Sequence, residues 1–196
     1  MPIKRWVMAK DQPQKVNLLA KEYHISSFLS RVLVGRGLDS PVKAGEFLDL
    51  PELSDPFALP DMRLAVDRIR LAMQKKERVA VYGDYDCDGV CSTVMLVRYF
   101  RSLGIDTVYY IPEREEGYGM HREAVQKLKD QGVSLIVTVD TGISALEEIE
   151  FASSLGMDTV ITDHHQAGER LPRAVAVVDA HRKDSNAPFR LFCGAG

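Results

Sequence analysis

From residue 76 onward, short runs of β-branched and aliphatic residues alternate with stretches of helical periodicity. This alternation restricts the fold more than any other feature of the chain. Strands separated by helices cannot pair through hairpin turns; they pair in parallel, and the helices cover the sheet. The runs lie at residues 78–82, 107–111, 134–139, 158–162 and 174–178. Helical stretches at 90–102, 122–131 and 145–155 fall between them, followed by Gly104, Gly132 and Gly156, which are of the kind that closes a helix C-terminus. The expected fold is therefore α/β, a doubly wound, mainly parallel sheet of about five strands.

The first sixty residues lack such runs. Val16, Leu19 and Tyr23, then Phe28, Leu29, Val32 and Leu33, recur at helical spacing, and Gly35-Arg36-Gly37 ends the second helix. Ser40-Pro41 reads as an N-cap followed by proline at the first position of a short helix over 42–48. Residues 50–60, with Pro51, Pro56 and Pro60, read as a linker. Asp61 is an expected N-cap for a longer helix through Met62, Ala65, Val66, Ile69 and Ala72 that ends in a charged run. The expected organisation is a helical segment with linker over 1–60 and an α/β domain over 61–196.

The 196 residues include 25 Lys+Arg and 28 Asp+Glu, with 45% hydrophobic content, which excludes disordered and fibrous classes. The charge is +3 over residues 1–75 and −6 over 76–196, so bulk charge gives no reason to expect nucleic-acid binding. A polyanion would have to be met by local basic side chains or by metal ions. No apolar run reaches the roughly 18 residues that span a bilayer, and the expectation is a soluble cytoplasmic protein. Cys87, Cys91 and Cys193 are too few for a disulfide framework, and Cys87/Cys91 lack a second pair for a zinc site; they read as small buried hydrophobes.

Three of the strands end alike. The first runs into Asp84, Asp86 and Asp88, the third into Asp140, and the fourth into Asp163, His164 and His165. Carboxyl ends of parallel strands lie along one edge, so five aspartates and two histidines meet in one crevice. That many carboxylates repel one another unless cations lie among them. An oxygen-rich set with imidazoles and no thiolate suits Mn²⁺ or Mg²⁺ better than zinc. Asp after a strand is often only a turn former or helix cap, but capping does not account for acids at alternate positions followed by Asp-Thr-Gly and His-His. His24, His121 and His181 stand apart, with His24 expected on a helix surface. After the second strand, Arg114 and the Gly117-Tyr118-Gly119 loop project toward the same edge, where Arg can fork onto a phosphate and Tyr can stack on a base. Arg122, Arg182, Lys183 and Arg190 are weaker phosphate candidates.

In order and spacing, Asp84-Tyr-Asp-Cys-Asp-Gly89, Val139-Asp-Thr-Gly142 and Asp163-His-His165 resemble motifs I to III of the DHH phosphoesterase superfamily, and within it the bacterial RecJ-like exonucleases. The segment from Pro41 through Asp-Pro-Phe-Ala-Leu-Pro-Asp-Met62, the loop from Pro112 to Gly119, and Pro188-Phe189 with Cys193-Gly-Ala-Gly196 carry the likeness over nearly the whole chain. The resemblance implies that Asp84, Asp86, Asp88, Asp140 and His164 are ligands to two Mn²⁺ or Mg²⁺ ions, with Asp140 able to bridge them. It implies that His165 holds the scissile phosphate or aids the leaving group, that Asp163 orients a neighbouring histidine, and that Arg114, Tyr118 and Gly119 meet the substrate.

The implied activity is metal-dependent hydrolysis from the 5′ end of single-stranded DNA in recombination and repair, with single-strand-binding protein a further partner. A DHH phosphodiesterase of short oligonucleotides or cyclic dinucleotides, and a non-catalytic DHH module that binds nucleic acid or protein, are the alternatives. The chain departs from the family pattern at Tyr82, where a histidine is usual, at His121, where an asparagine is usual, and at Asp179-Ala180, where Asn-Pro is usual. A fourth motif with a further metal-binding aspartate and a second, substrate-binding domain would lie beyond Gly196, so the α/β domain reads as truncated there and residues 1–196 alone are expected to be inactive or feeble.

Overall fold

The structure, a computed structural model, describes residues 10–48, 55–187, 190 and 192–196. The start of the chain, residues 49–54 of the expected linker, and Pro188-Phe189 lie outside the described residues. The chain divides into two compact units, Met1–Leu53 and Ser54–Gly196.

The first unit contains three helices, α1 (Pro13–Glu22), α2 (Ser27–Gly35) and α3 (Pro41–Leu48). Ser26 caps α2 by accepting from the Leu29 N–H at 3.2 Å, and Ser40 accepts from Lys43 N–H at 3.4 Å with Pro41 opening α3. Val16, Leu19, Leu33, Val34 and Ala44 form their shared core. His24 is exposed as expected, but it sits at positive φ in the turn after α1 rather than on the helix.

The second unit is built on a five-stranded sheet in the order β2-β1-β3-β4-β5, every pair parallel. Its strands are β1 (Arg78–Gly83), β2 (Thr107–Tyr110), β3 (Val133–Val139), β4 (Asp158–Thr162) and β5 (Ala176–Val178). Alternate strand residues serve opposite faces. Tyr82, Ile136 and Ile161 pack with Val125 and Leu128 of α6 (Arg122–Asp130) and Ile149 of α7 (Leu146–Ser154). Val79, Val81, Leu135 and Val137 pack with Ala65 and Ala72 of α4 (Met62–Lys75) and Val97 and Phe100 of α5 (Cys87–Ser102). The sheet is thus covered on both sides, and the doubly wound expectation holds. Gly104 and Gly156 close helices at positive φ; the following N–H groups, of Ile105 and Met157, reach back to the carbonyls of Phe100 and Ala152 at 3.0 Å each.

Four expectations are corrected. The three cysteines are exposed, because Cys87 and Cys91 lie on the outer face of α5 while Thr93, Val97 and Phe100 take the inner one. Helix α5 begins at Cys87 rather than residue 90, since Asp86 caps it. Asp61 holds the N-cap position of α4 but makes no capping bond; its Oδ2 accepts instead from Val177 N–H at 3.1 Å and from Arg182 at 2.5 Å. Arg182 is therefore no phosphate ligand: it is buried and tied to Asp61 and Asp184.

Candidate metal centre

The sheet order reverses between β1 and β3, and at such a reversal the chain leaving each strand turns away from its neighbour and opens a crevice at the carboxyl ends. Glycines let α5 close over the end of β1. A Cβ on Gly83 would lie 1.9 Å from Thr93 Oγ1, and one on Gly89 would lie 2.5 Å from the Asp84 carbonyl oxygen. Asp84 is consequently buried, while Asp86 accepts from the Gly89 N–H at 2.9 Å and starts the helix. Asp140, directly after β3, sits in the left-handed region at φ 60°, a conformation that Asp tolerates better than most residues.

These turns bring the carboxylates together. Asp84, Asp86 and Asp140 each offer an oxygen within 4.8 Å of the others, and Asp140 joins a second triple with His164 and His165. His164 Nε2 lies 2.9 Å from Asp140 Oδ1 and 3.6 Å from Asp88 Oδ2. Asp163, after β4, is committed to orientation: its Oδ1 accepts from the His164 and His165 backbone N–H groups at 2.7 and 3.1 Å and lies 2.7 Å from His165 Nδ1. Its Oδ2 accepts from Ile143 N–H at 2.9 Å, which ties the β4 turn to the β3 turn.

Asp88, expected as a ligand, is engaged by backbone groups in this structure. It belongs to neither triple, and its two oxygens accept from the Gly194 and Ala195 N–H groups at 2.6 and 2.8 Å. That loop also approaches Asp140, since a Cβ on Gly194 would lie 2.6 Å from the Asp140 Cβ. His165, expected at the phosphate, also lies close enough to Asp140 and His164 to share an ion with them.

Electrostatics follow from this crowding. Burial, then the charges of Asp88 and Asp86, push the Asp140 carboxyl up to about 6. Burial acts in the same sense on Asp88, but the N–H groups of Gly194 and Ala195 outweigh it and hold that carboxyl below its ordinary value. Burial would lower His165, yet its bond with Asp163 prevails and raises it. Asp84 Oδ1 is buried without a hydrogen-bond partner, and no Lys or Arg forms an ion pair with Asp84, Asp86, Asp88, Asp140 or Asp163 among the described residues. An orphaned carboxylate oxygen beside further carboxylates and two imidazoles fits a hard divalent cation.

At the rim, the Tyr118 hydroxyl lies 3.3 Å from the His165 ring nitrogens. The Arg114 guanidinium stacks over the Tyr85 ring, 5.3 Å from its centroid, between Asp84 and Asp86 in sequence. Sequence reasoning missed Tyr85, although its place inside the aspartate run was a signal. Gly119 adopts φ 97°, and its carbonyl accepts from the Tyr82 hydroxyl at 3.3 Å. Tyr82, where the family resemblance led to the expectation of a histidine, is a buried ring that holds the glycine loop and stacks on Tyr110. His121 bonds the same loop, its Nε2 lying 3.3 Å from the Gly117 carbonyl oxygen. Arg122 pairs with Glu147, Arg190 donates to the Ser185 carbonyl, and Lys183 is exposed; none of them bonds a residue of the centre.

A crevice at a β1/β3 reversal, lined by carboxylates and histidines, defines a metal-binding α/β protein. The model of the DHH family, N-terminal domain, matches residues 78–196, and the chain belongs to the DHH family. The single-stranded-DNA-specific exonuclease RecJ of Bacillus subtilis is 39% identical over 195 residues, 98% of this chain and 25% of that protein. A crystal structure of exonuclease RecJ bound to manganese superposes with a TM-score of 0.66 at 32% identity, covering 74% of this chain and 37% of that one. RecJ from Thermus thermophilus in complex with Mn²⁺ gives a TM-score of 0.66 at 26% identity, covering 97% and 26%. The chain spans about a quarter of the length of the curated relatives it matches. Among the described residues, no helix is long and apolar enough to cross a membrane.

Proposed function

We propose that the full-length protein is a Mn²⁺- or Mg²⁺-dependent exonuclease that degrades single-stranded DNA from its 5′ end in recombination and repair. The observation that carries this reading is the sharing of Asp140 between two ligand triples, in a chain similar to manganese-bound RecJ over most of its length. Bound ions would supply Lewis acidity at the phosphodiester and offset the charge of the carboxylates. Asp84, Asp86 and Asp140 would hold them from the oxygen side and His164 from the other, with Asp88 joining when it is released from the Gly194 and Ala195 N–H groups.

Substrate contacts follow from the rim. His165, kept in one orientation by Asp163 and Tyr118, would donate a hydrogen bond from its ring to the scissile phosphate. Arg114, flattened on Tyr85, would present its fork to a neighbouring phosphate, and the exposed Tyr118 ring would stack on a base. Gly119 would leave room for the backbone of the strand. Exposed free thiols suit the reducing cytoplasm, where single-strand-binding protein would meet the same DNA.

The test uses the full-length chain with Mn²⁺, single-stranded DNA labelled at the 5′ or the 3′ end, and a dinucleotide. Immediate release of the 5′ label as mononucleotide, with gradual shortening of 3′-labelled strands, is the expected result. Cleavage of the dinucleotide alone would move the protein to the small-substrate phosphodiesterases. Mn²⁺ binding without hydrolysis of either would overturn the enzymatic reading in favour of a binding module.

A further inference from the structure

Cys87 and Cys91 are metal-binding side chains that the carboxylate centre does not use. They occupy positions i and i+4 on the exposed face of α5, at the helix end that carries Asp86 and Asp88. Side chains at this spacing point the same way, with Cβ atoms roughly 5–6 Å apart. A disulfide needs about 3.5–4.5 Å between Cβ atoms, so a regular helix keeps the two sulfurs unjoined. A cation that takes each sulfur at about 2.3 Å bridges the same gap without moving the backbone.

We propose that Cys87 and Cys91 form a bidentate site for a thiophilic divalent cation of the Zn²⁺ and Cd²⁺ class, distinct from the carboxylate centre. The two sites would sort ions by ligand chemistry: oxygens of Asp84, Asp86 and Asp140 for hard Mn²⁺ or Mg²⁺, sulfurs for the softer cation. The Cys91 thiol is raised above its ordinary pKa, first by a hydrogen bond with Cys87, which places the two side chains close together. Each thiol releases one proton to solvent as its sulfur binds the cation, and no electrons are transferred. Water completes the coordination. Such an ion would sit one residue from both Asp86 and Asp88, on the turn that the Gly194-Ala195 loop closes.

The test is a Cd²⁺ titration of the full-length chain followed by the ultraviolet sulfur-to-cadmium charge-transfer band. The expected result is a band that saturates at one Cd²⁺ for this pair, is lost in both Cys87→Ser and Cys91→Ser, and persists in Cys193→Ser and in Asp140→Asn. Mn²⁺ should neither produce the band nor abolish it. The exposed positions make the serine variants safe for folding, which far-ultraviolet circular dichroism checks. Equal bands in the wild type and the Cys87→Ser/Cys91→Ser double variant would overturn the proposal. So would loss of the band in Asp140→Asn, which would place the cation in the carboxylate centre.

Discussion

The two ends of the sheet carry acidic residues in opposite states. At the amino ends of the strands, Glu77 and Asp158 flank Arg68 at 2.7 and 2.6 Å, and Asp106 meets Arg78 at 2.7 Å. At the carboxyl ends, Asp84, Asp86, Asp88, Asp140 and Asp163 have no Lys or Arg partner among the described residues, and Asp84 keeps a buried oxygen without any hydrogen bond. The same sheet therefore holds acids that stabilise it and acids that strain it. Buried charge that is matched belongs to the fold; buried charge left unmatched is tolerated where a ligand completes it.

Neutralising one acid at the carboxyl ends should separate these roles most sharply. Asp140→Asn keeps the shape and the left-handed backbone but removes the shared ligand. Hydrolysis by the full-length enzyme should fall on the order of a thousandfold, corresponding to about 4 kcal/mol of lost charge stabilisation. The melting temperature of the metal-free protein should rise at the same time, because the substitution relieves repulsion. A fall in both would show that Asp140 is part of the scaffold.

Asp163→Asn, which loosens His165 and the Ile143 tie, should weaken Mn²⁺ binding or turnover roughly 10–100-fold, the usual cost of losing a group that orients a ligand. Calorimetry and initial rates would measure it, and unchanged values would show that His165 needs no orientation. At the other end, Arg68→Ala should cost about 2 kcal/mol in urea unfolding, discounted because Asp158 is half exposed, and should leave Mn²⁺ affinity untouched.

The smallest effect is graded with pH. Asp140 titrates near 6 in the folded protein against an ordinary 3.8, so the metal-free fold binds the proton more tightly than the unfolded chain does. Its stability contribution is full below about 4 and is lost as pH rises through about 6. Mn²⁺ must displace that proton, so its affinity should fall about tenfold per pH unit below 6 and level off above. Thermal melts and Mn²⁺ titrations over that interval should show these opposite slopes. Parallel slopes would assign the titration to another group.

Much of this was legible in the chain, for a physical reason. Parallel strands buried on both faces are written as unbroken aliphatic runs, so residues 78–82 and 158–162 stand out, and the aspartates after them inherit a common edge from topology alone. The losses came where partners are distant in sequence. Nothing near Asp88 foretells that Gly194 and Ala195 will claim its oxygens, or that Asp61 will turn from its own helix to Val177 and Arg182. Cysteine's usual preference for the interior misled because helical phase put Cys87 and Cys91 on the outer side of α5. The Arg114–Tyr85 stack was equally hidden, since it joins two loops of unrelated pattern.

The sheet order also sets a schedule. β1 lies between β2 and β3, so Gly83 reaches its partner Val139 only after the whole of β2 and α6 has been synthesised, and Val139 then waits for Thr162. Asp84 and Asp86 emerge from the ribosome long before Asp140 and His164. Until the fourth strand docks, a nascent chain can gather Asp84, Asp86 and Asp140 but lacks Asp163, His164 and His165 beside them. The order of the strands thus makes the histidine side of the centre the last part to be assembled.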